Sequence, residues 1–237
     1  MTEQHTDFAG NIEALPFVAL CLDKASTAWN ASFNHPFVRG IIDGSLSPDK
    51  FRFYQMQDAR YLEAYAAASS LVAVRCTTPD DMLWFIDSAR IALVTERSLH
   101  TNYGLKFGYD ATTIANLELT LNNRAYQDHI IAVAQRGSMV EAVAALTPCP
   151  WLYIAIGRAL LAELGSVPAT HPYADWLHMY SDPHFDTYIS ELLTRLQRYS
   201  DEADDSARQR AVKAFVVGIR YEWLFWEQAW QLQTWPV

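Results

Sequence analysis

The chain has 237 residues, 51% hydrophobic and 13% aromatic, with 9 Gly and 10 Pro; this composition excludes a disordered chain and predicts a well-filled core. A net charge of −9, with no Lys/Arg-rich stripe to override it locally, argues against non-specific binding to nucleic acid or to an anionic membrane. Cys21, Cys76 and Cys149 are odd in number and far apart, which excludes a disulfide framework and predicts a reducing, cytoplasmic setting.

Helical periodicity dominates, and no run of alternating β-branched residues suggests a strand. The pattern predicts an all-α chain with helices over 13–33, 48–75, 79–103, 112–135, 138–147, 150–164, 172–197 and 205–231. No basic n-region with a following apolar run marks a signal peptide. No uninterrupted apolar run approaches the ~20 residues that span a bilayer. Ser47-Pro48-Asp49 and Thr78-Pro79-Asp80-Asp81 each combine a cap, a proline at the first helical position and first-turn acid.

In the second helix, Phe51, Tyr54, Asp58, Tyr61 and Tyr65 follow three- and four-residue steps, so Asp58 interrupts an aromatic stripe. A carboxylate there is costly unless hydrogen-bonded. It is either a structural acid paired with Arg or Tyr, or a group that meets a ligand. Glu96 and His100 share a helix face at i, i+4, a spacing open to metal ligation but more often an intrahelical contact. No Glu-x-x-His repeat of the di-iron type is present. His171, His178 and His184 lie near a helix boundary, where capping is the default role.

Cys149 sits between Pro148 and Pro150 where a loop is expected to become a helix. With Pro150 in the first turn, the thiol lies at or beside the N-cap, where the helix dipole favours a thiolate. Two readings stand: a nucleophile with Tyr153 one turn away, or a small buried apolar residue. In the last helix, Glu222 is the one acid in Tyr221-Glu222-Trp223-Leu224-Phe225-Trp226. Such surroundings raise a carboxyl pKa toward general acid/base use; the structural alternative is a pair with Arg220 or with another chain. No phosphate loop, nucleophile elbow or Cys-x-x-Cys pair appears.

Taken together, Trp29, Ser32-Phe33-Asn34-His35-Pro36-Phe37, Asp43-Gly44-Ser45-Leu46, Gln57-Asp58, Tyr61-Leu62, Glu96, Leu99-His100, Pro148-Cys149, Trp151-Leu152-Tyr153, Gly157 and Tyr221-Glu222 resemble thiaminase II, the TenA family, over roughly residues 22–232. The resemblance implies a single-domain, haem-oxygenase-like helical bundle over 15–237, a flexible N-terminal extension over 1–14, and a homotetramer. It implies a hydrolase of aminopyrimidines in thiamine salvage, converting 4-amino-5-aminomethyl-2-methylpyrimidine to the 5-hydroxymethyl compound, with thiamine cleavage as a second activity. The partner is then a small pyrimidine, with no cofactor and no metal. It further implies Cys149 as nucleophile, Glu222 as acid/base toward a ring nitrogen, and Asp58 on the amino-pyrimidine edge. Tyr61, Tyr126, Tyr153, Tyr180 and Phe225 would line the site. Pro150 stands where many relatives carry an aromatic residue. Two other classes remain: a metal- or haem-binding protein on the same fold, and a non-catalytic pyrimidine-binding or regulatory protein.

Overall fold

The computed structural model describes residues 14–236, with the side chains of residues 95–101 outside the description. Eleven helices and no strand occur among the described residues: α1 Pro16–Phe33, α2 Pro36–Ile42, α3 Pro48–Ala73, α4 Pro79–Phe107, α5 Ala111–Ala115, α6 Leu121–Arg136, α7 Met139–Leu146, α8 Pro148–Leu164, α9 Ala174–Tyr180, α10 His184–Asp201 and α11 Asp205–Gln231. Most of the expected 1–14 extension, and the side chains of Glu96 and His100, lie outside the described residues.

Local chemistry sets the helix boundaries. Proline opens α1, α2, α3, α4 and α8, where its fixed φ suits the first turn and its missing N–H is no loss. Thr78, Asp110, Thr120 and Asp204 cap α4, α5, α6 and α11 through their side chains. Ser138 and Glu141 form a reciprocal capping box on α7, satisfying two orphan donors at once. Gly108 and Gly165 end α4 and α8 at φ 73° and 72°, a region that costs glycine nothing.

Four departures from the expected helices have physical causes. α2 is a seven-residue helix capped by the His35 ring, and it buries Phe37, Val38, Ile41 and Ile42; it is too short for periodicity to reveal. The 112–135 expectation is two helices, because the chain leaves helical geometry after Asn116 and restarts at the Thr120 cap. The 172–197 expectation also divides, at Asp182-Pro183, since a proline disfavours helical geometry in the residue before it. Conversely, α7 and α8 nearly fuse: Thr147 between them holds φ −65°, ψ −36°. The resulting Met139–Leu164 stretch is long and apolar enough to cross a membrane by length and composition, although Glu141, Arg158 and Glu163 interrupt it, and 78% of its most apolar window is buried inside the protein. It is therefore a core helix.

Two helices organise the packing. α3 lies against α4, α6, α7 and α11; α11 lies against α1, α2, α3, α6, α7 and α8. Phe51, Tyr54 and Tyr61 on α3 and Phe215, Phe225 and Trp226 on α11 are buried, so the two acids flagged by the sequence sit among buried aromatic side chains on helices packed by several others.

Candidate active site

Asp58 and Tyr61 come from α3, Tyr126 from α6, Cys149 and Tyr153 from α8, Tyr180 from α9, and Glu222 and Phe225 from α11. Seven of these eight are at most 6% exposed; Cys149 is half-buried. A cavity is lined by Asp58, Cys149, Pro150, Tyr153 and Tyr180, and beyond them by Tyr65, Ser88, Phe185 and Tyr188. Tyr61, Tyr126, Glu222 and Phe225 do not line this cavity; they cluster with one another, with Cys149 near enough to act electrostatically on Tyr61 and Tyr126. The Tyr61 ring lies 4.7 Å from Tyr126 and 5.9 Å from Phe225, and Tyr126 stacks on Tyr221 at 5.2 Å. Tyr153 lies 5.1 Å from Tyr180 and 4.7 Å from Trp226.

Glu222 is 1% exposed, and its Oε1 accepts a 2.5 Å hydrogen bond from the Tyr126 hydroxyl. Burial pushes its pKa up to about 8, and the nearby Asp58 charge adds to the rise, while the Tyr126 bond works against both. A low-dielectric wall thus favours the neutral acid. Arg220, the partner offered by the structural alternative, is exposed at the surface; the hydrogen bond runs to Tyr126.

The three polar groups share one electrostatic neighbourhood. Burial holds the Tyr153 phenol well above its usual range, and the neighbouring Tyr54, Asp58, Glu222 and Cys149 add to the rise. Tyr61 and Tyr126 are raised likewise, mainly by burial, with Cys149 and Glu222 adding. These tyrosines therefore act as neutral hydroxyls. The Tyr61 hydroxyl is buried beside Tyr126 without completing a hydrogen bond of normal geometry, so a polar atom there is poised for a ligand.

Two glycines let the helices approach closely enough to assemble the cluster. A Cβ on Gly218 of α11 would stand 2.6 Å from Pro148 Cγ, and one on Gly157 of α8 would stand 2.5 Å from the Tyr180 backbone. Gly218 seats the proline beside Cys149; Gly157 seats the tyrosine that faces Tyr153.

The helix-start reading of Cys149 changes in one respect. α8 begins at Pro148, so Cys149 is its second residue, and α7 ends at Leu146 immediately before it. The negative end of one helix dipole meets the positive end of the next, so the two fields largely offset at the thiol. Pro148 and Pro150 supply no N–H there either. Polar neighbours from other helices, rather than a free helix end, must stabilise a thiolate.

Residues not singled out as site residues by the sequence also border the cavity. Tyr65, Ser88 and Tyr188 bring three hydroxyls to its lining. Tyr65 falls on the visible α3 stripe. Ser88 and Tyr188 are separated by 100 positions and break no local pattern, so only the fold brings them together. His171 and His184 serve local structure: His171 Nδ1 accepts the Tyr173 N–H, and His184 lies 2.7 Å from Asp182. No three His, Cys, Asp or Glu side chains cluster at metal-binding distance among the described residues.

The all-helical bundle is heme oxygenase-like. A domain with that fold from Shewanella denitrificans, 12% identical, superposes with TM-score 0.67 over 91% of this chain and 92% of its own. The family model described as TENA/THI-4/PQQC matches residues 22–232, and the chain belongs to that family. The aminopyrimidine aminohydrolase of Halalkalibacterium halodurans is 32% identical over 93% of this chain and 98% of its own length. The TenA homologue of P. horikoshii OT3 is 28% identical with TM-score 0.79, over 91% of this chain and 98% of that one.

Proposed function

We propose that this chain is an aminopyrimidine hydrolase of thiamine salvage. It converts 4-amino-5-aminomethyl-2-methylpyrimidine and water to the 5-hydroxymethyl compound and ammonia, and also cleaves thiamine at its methylene bridge. The observation that carries the reading is Glu222, a neutral-range acid with a pKa of about 8, buried in one cluster with Cys149 and Asp58. The name of the H. halodurans relative supports it.

Asp58 accepts the hydrogen bond of the ring's amino group, fixing which edge faces inward. Glu222 gives its proton to a ring nitrogen, which makes the ring electrophilic. The Cys149 thiolate then adds to a ring carbon conjugated with the substituted one. The substrate's aminomethyl group is protonated, so the electron pair of the adduct expels it from the methylene as ammonia, leaving an exocyclic double bond. Water adds to that methylene and releases one proton to solvent, the pair returns through the ring, the C–S bond breaks to restore the thiolate, and Glu222 recovers its proton from the ring nitrogen. Tyr61, Tyr126, Tyr153, Tyr180 and Phe225 pack around the flat ring and exclude bulk water, which strengthens both carboxyl interactions. The scheme calls on no cofactor, takes place away from membrane and nucleic acid in the cytoplasm, and is carried out by a homotetramer, checked by a solution mass of four times 26.9 kDa.

Cys149→Ser tests the mechanism. Ammonia release from the aminomethylpyrimidine should fall at least a thousandfold while thermal unfolding and pyrimidine binding persist. Retained turnover would sink the nucleophile assignment, and pyrimidine binding without turnover in the unaltered protein would make the chain a carrier or sensor.

A further inference from the structure

The cavity that Asp58 and Cys149 line is also lined by Tyr65 on α3, by Ser88 on α4 and by Phe185 and Tyr188 on α10. Within this lining three hydroxyls are linked. Ser88 Oγ lies 2.8 Å from Tyr188 Oη, and Tyr188 Oη lies 3.3 Å from Tyr65 Oη. Burial holds the Tyr65 phenol far above its usual range, with the neighbouring Tyr188 and Cys149 adding to the rise, so Tyr65 stays a neutral hydroxyl close to the thiol.

The chain of hydroxyls is held from outside the cavity. The Tyr188 ring stacks on Trp84 at 5.1 Å and 19°. Trp84 donates its indole N–H to Glu191 at 2.5 Å, and the Arg195 guanidinium covers its ring at 4.6 Å. Arg195 in turn bonds the buried Asp81 at 3.1 Å. Such support fixes donor and acceptor directions, as recognition requires. Three hydroxyls hold three hydrogens and six lone pairs, and all three residues line the cavity.

We propose that Tyr188, Ser88 and Tyr65 form a subsite for an N–H-bearing substituent on the methylene of the pyrimidine. This inference rests on the aminopyrimidine reading and deepens it. With Asp58 holding the ring edge and Cys149 at the ring face, the substituent on the methylene meets the hydroxyls that line the same cavity. An ammonium or an acylated amine donates N–H to the hydroxyl oxygens. The thiazolium of thiamine has no N–H at its point of attachment and gains nothing there. The subsite therefore selects amine-bearing pyrimidines over thiamine.

The test compares kcat/KM for the aminomethylpyrimidine and for thiamine in unaltered protein, Tyr188→Phe and Ser88→Ala. Tyr188→Phe keeps the ring on Trp84 and removes only the oxygen. Each variant should lose about tenfold to a hundredfold on the amine, the size of a hydrogen bond to a charged group, and less than about threefold on thiamine. Equal losses on both substrates, or none on the amine, would overturn the subsite. Should Tyr188→Phe lower the unfolding temperature markedly, Ser88→Ala decides alone. Unaltered protein that turns over neither substrate would defeat the aminopyrimidine reading itself, whereas turnover without a shifted ratio defeats only the subsite.

Discussion

Glu222 carries the sharpest consequence at the scale of single residues, because its folded pKa of about 8 lies far above the ordinary glutamate value of 4.5. Between those pH values the folded state holds a proton that the unfolded chain has released, so stability falls as pH rises from about 4.5 through 8. Glu222→Gln has the same shape and no charge to bury. Its unfolding temperature relative to the unaltered protein should rise between pH 5 and pH 9, by more than about 5 °C for a chain of this size. A difference independent of pH would mean the carboxyl is not protonated in the fold. In the proposed mechanism the same proton goes to the ring, so kcat/KM should decline above about pH 8 with loss of one proton. Glu222→Gln should abolish that limb and lower the rate by about 10²–10⁴. Both acids were legible in the sequence, since each breaks an apolar helical face, and the Pro-Cys-Pro step marked the thiol. What the sequence could not reveal was the partner of each. Tyr126 is 96 positions from Glu222, and the opposing helix end at Cys149 depends on Thr147 keeping helical angles, which its residue type does not dictate.

Between helices, two missing side chains set the geometry of the site. Gly218→Ala would place a methyl group 2.6 Å from the Pro148 ring, which cannot rotate aside. α8 must then shift at its start, moving Cys149 relative to Glu222. Since displacement on the order of 1 Å costs about a hundredfold in reactions that depend on orientation, kcat should fall ten- to a hundredfold, with little change in KM. Gly157→Ala meets the Tyr180 backbone at 2.5 Å, which gives way less readily, so its main effect should be a loss of roughly 1–3 kcal/mol of stability. Denaturant unfolding and steady-state kinetics on the two variants separate these outcomes; reversed roles would refute the assignment. Helix starts were easily read because proline and capping side chains act locally. The interruption after Asn116 and the short α2 were not, because they answer to packing: α2 is held by four buried aliphatic and aromatic side chains, not by length or periodicity.

Across the whole molecule, the site spans α3, α6, α8, α9 and α11, so no single helix can form it and its integrity reports on global packing. The core is unevenly committed. α3 and α11 are enclosed by several helices each, while α5 buries none of its residues. Local opening needs little energy where few apolar contacts are lost and approaches the global unfolding energy where many are. Native-state hydrogen exchange should therefore show the slowest amides in the middle of α3 and α11, around Asp58 and Glu222, and the fastest helical amides in α5. A bound pyrimidine stabilises only states in which the five contributing helices are assembled, because linkage acts through the form that binds. Saturating ligand should thus slow exchange in α3, α8 and α11 by about the same factor while leaving α5 unchanged. Uniform protection including α5 would place ligand binding elsewhere. Protection confined to α8 would mean that the two acid-bearing helices do not grip the ring.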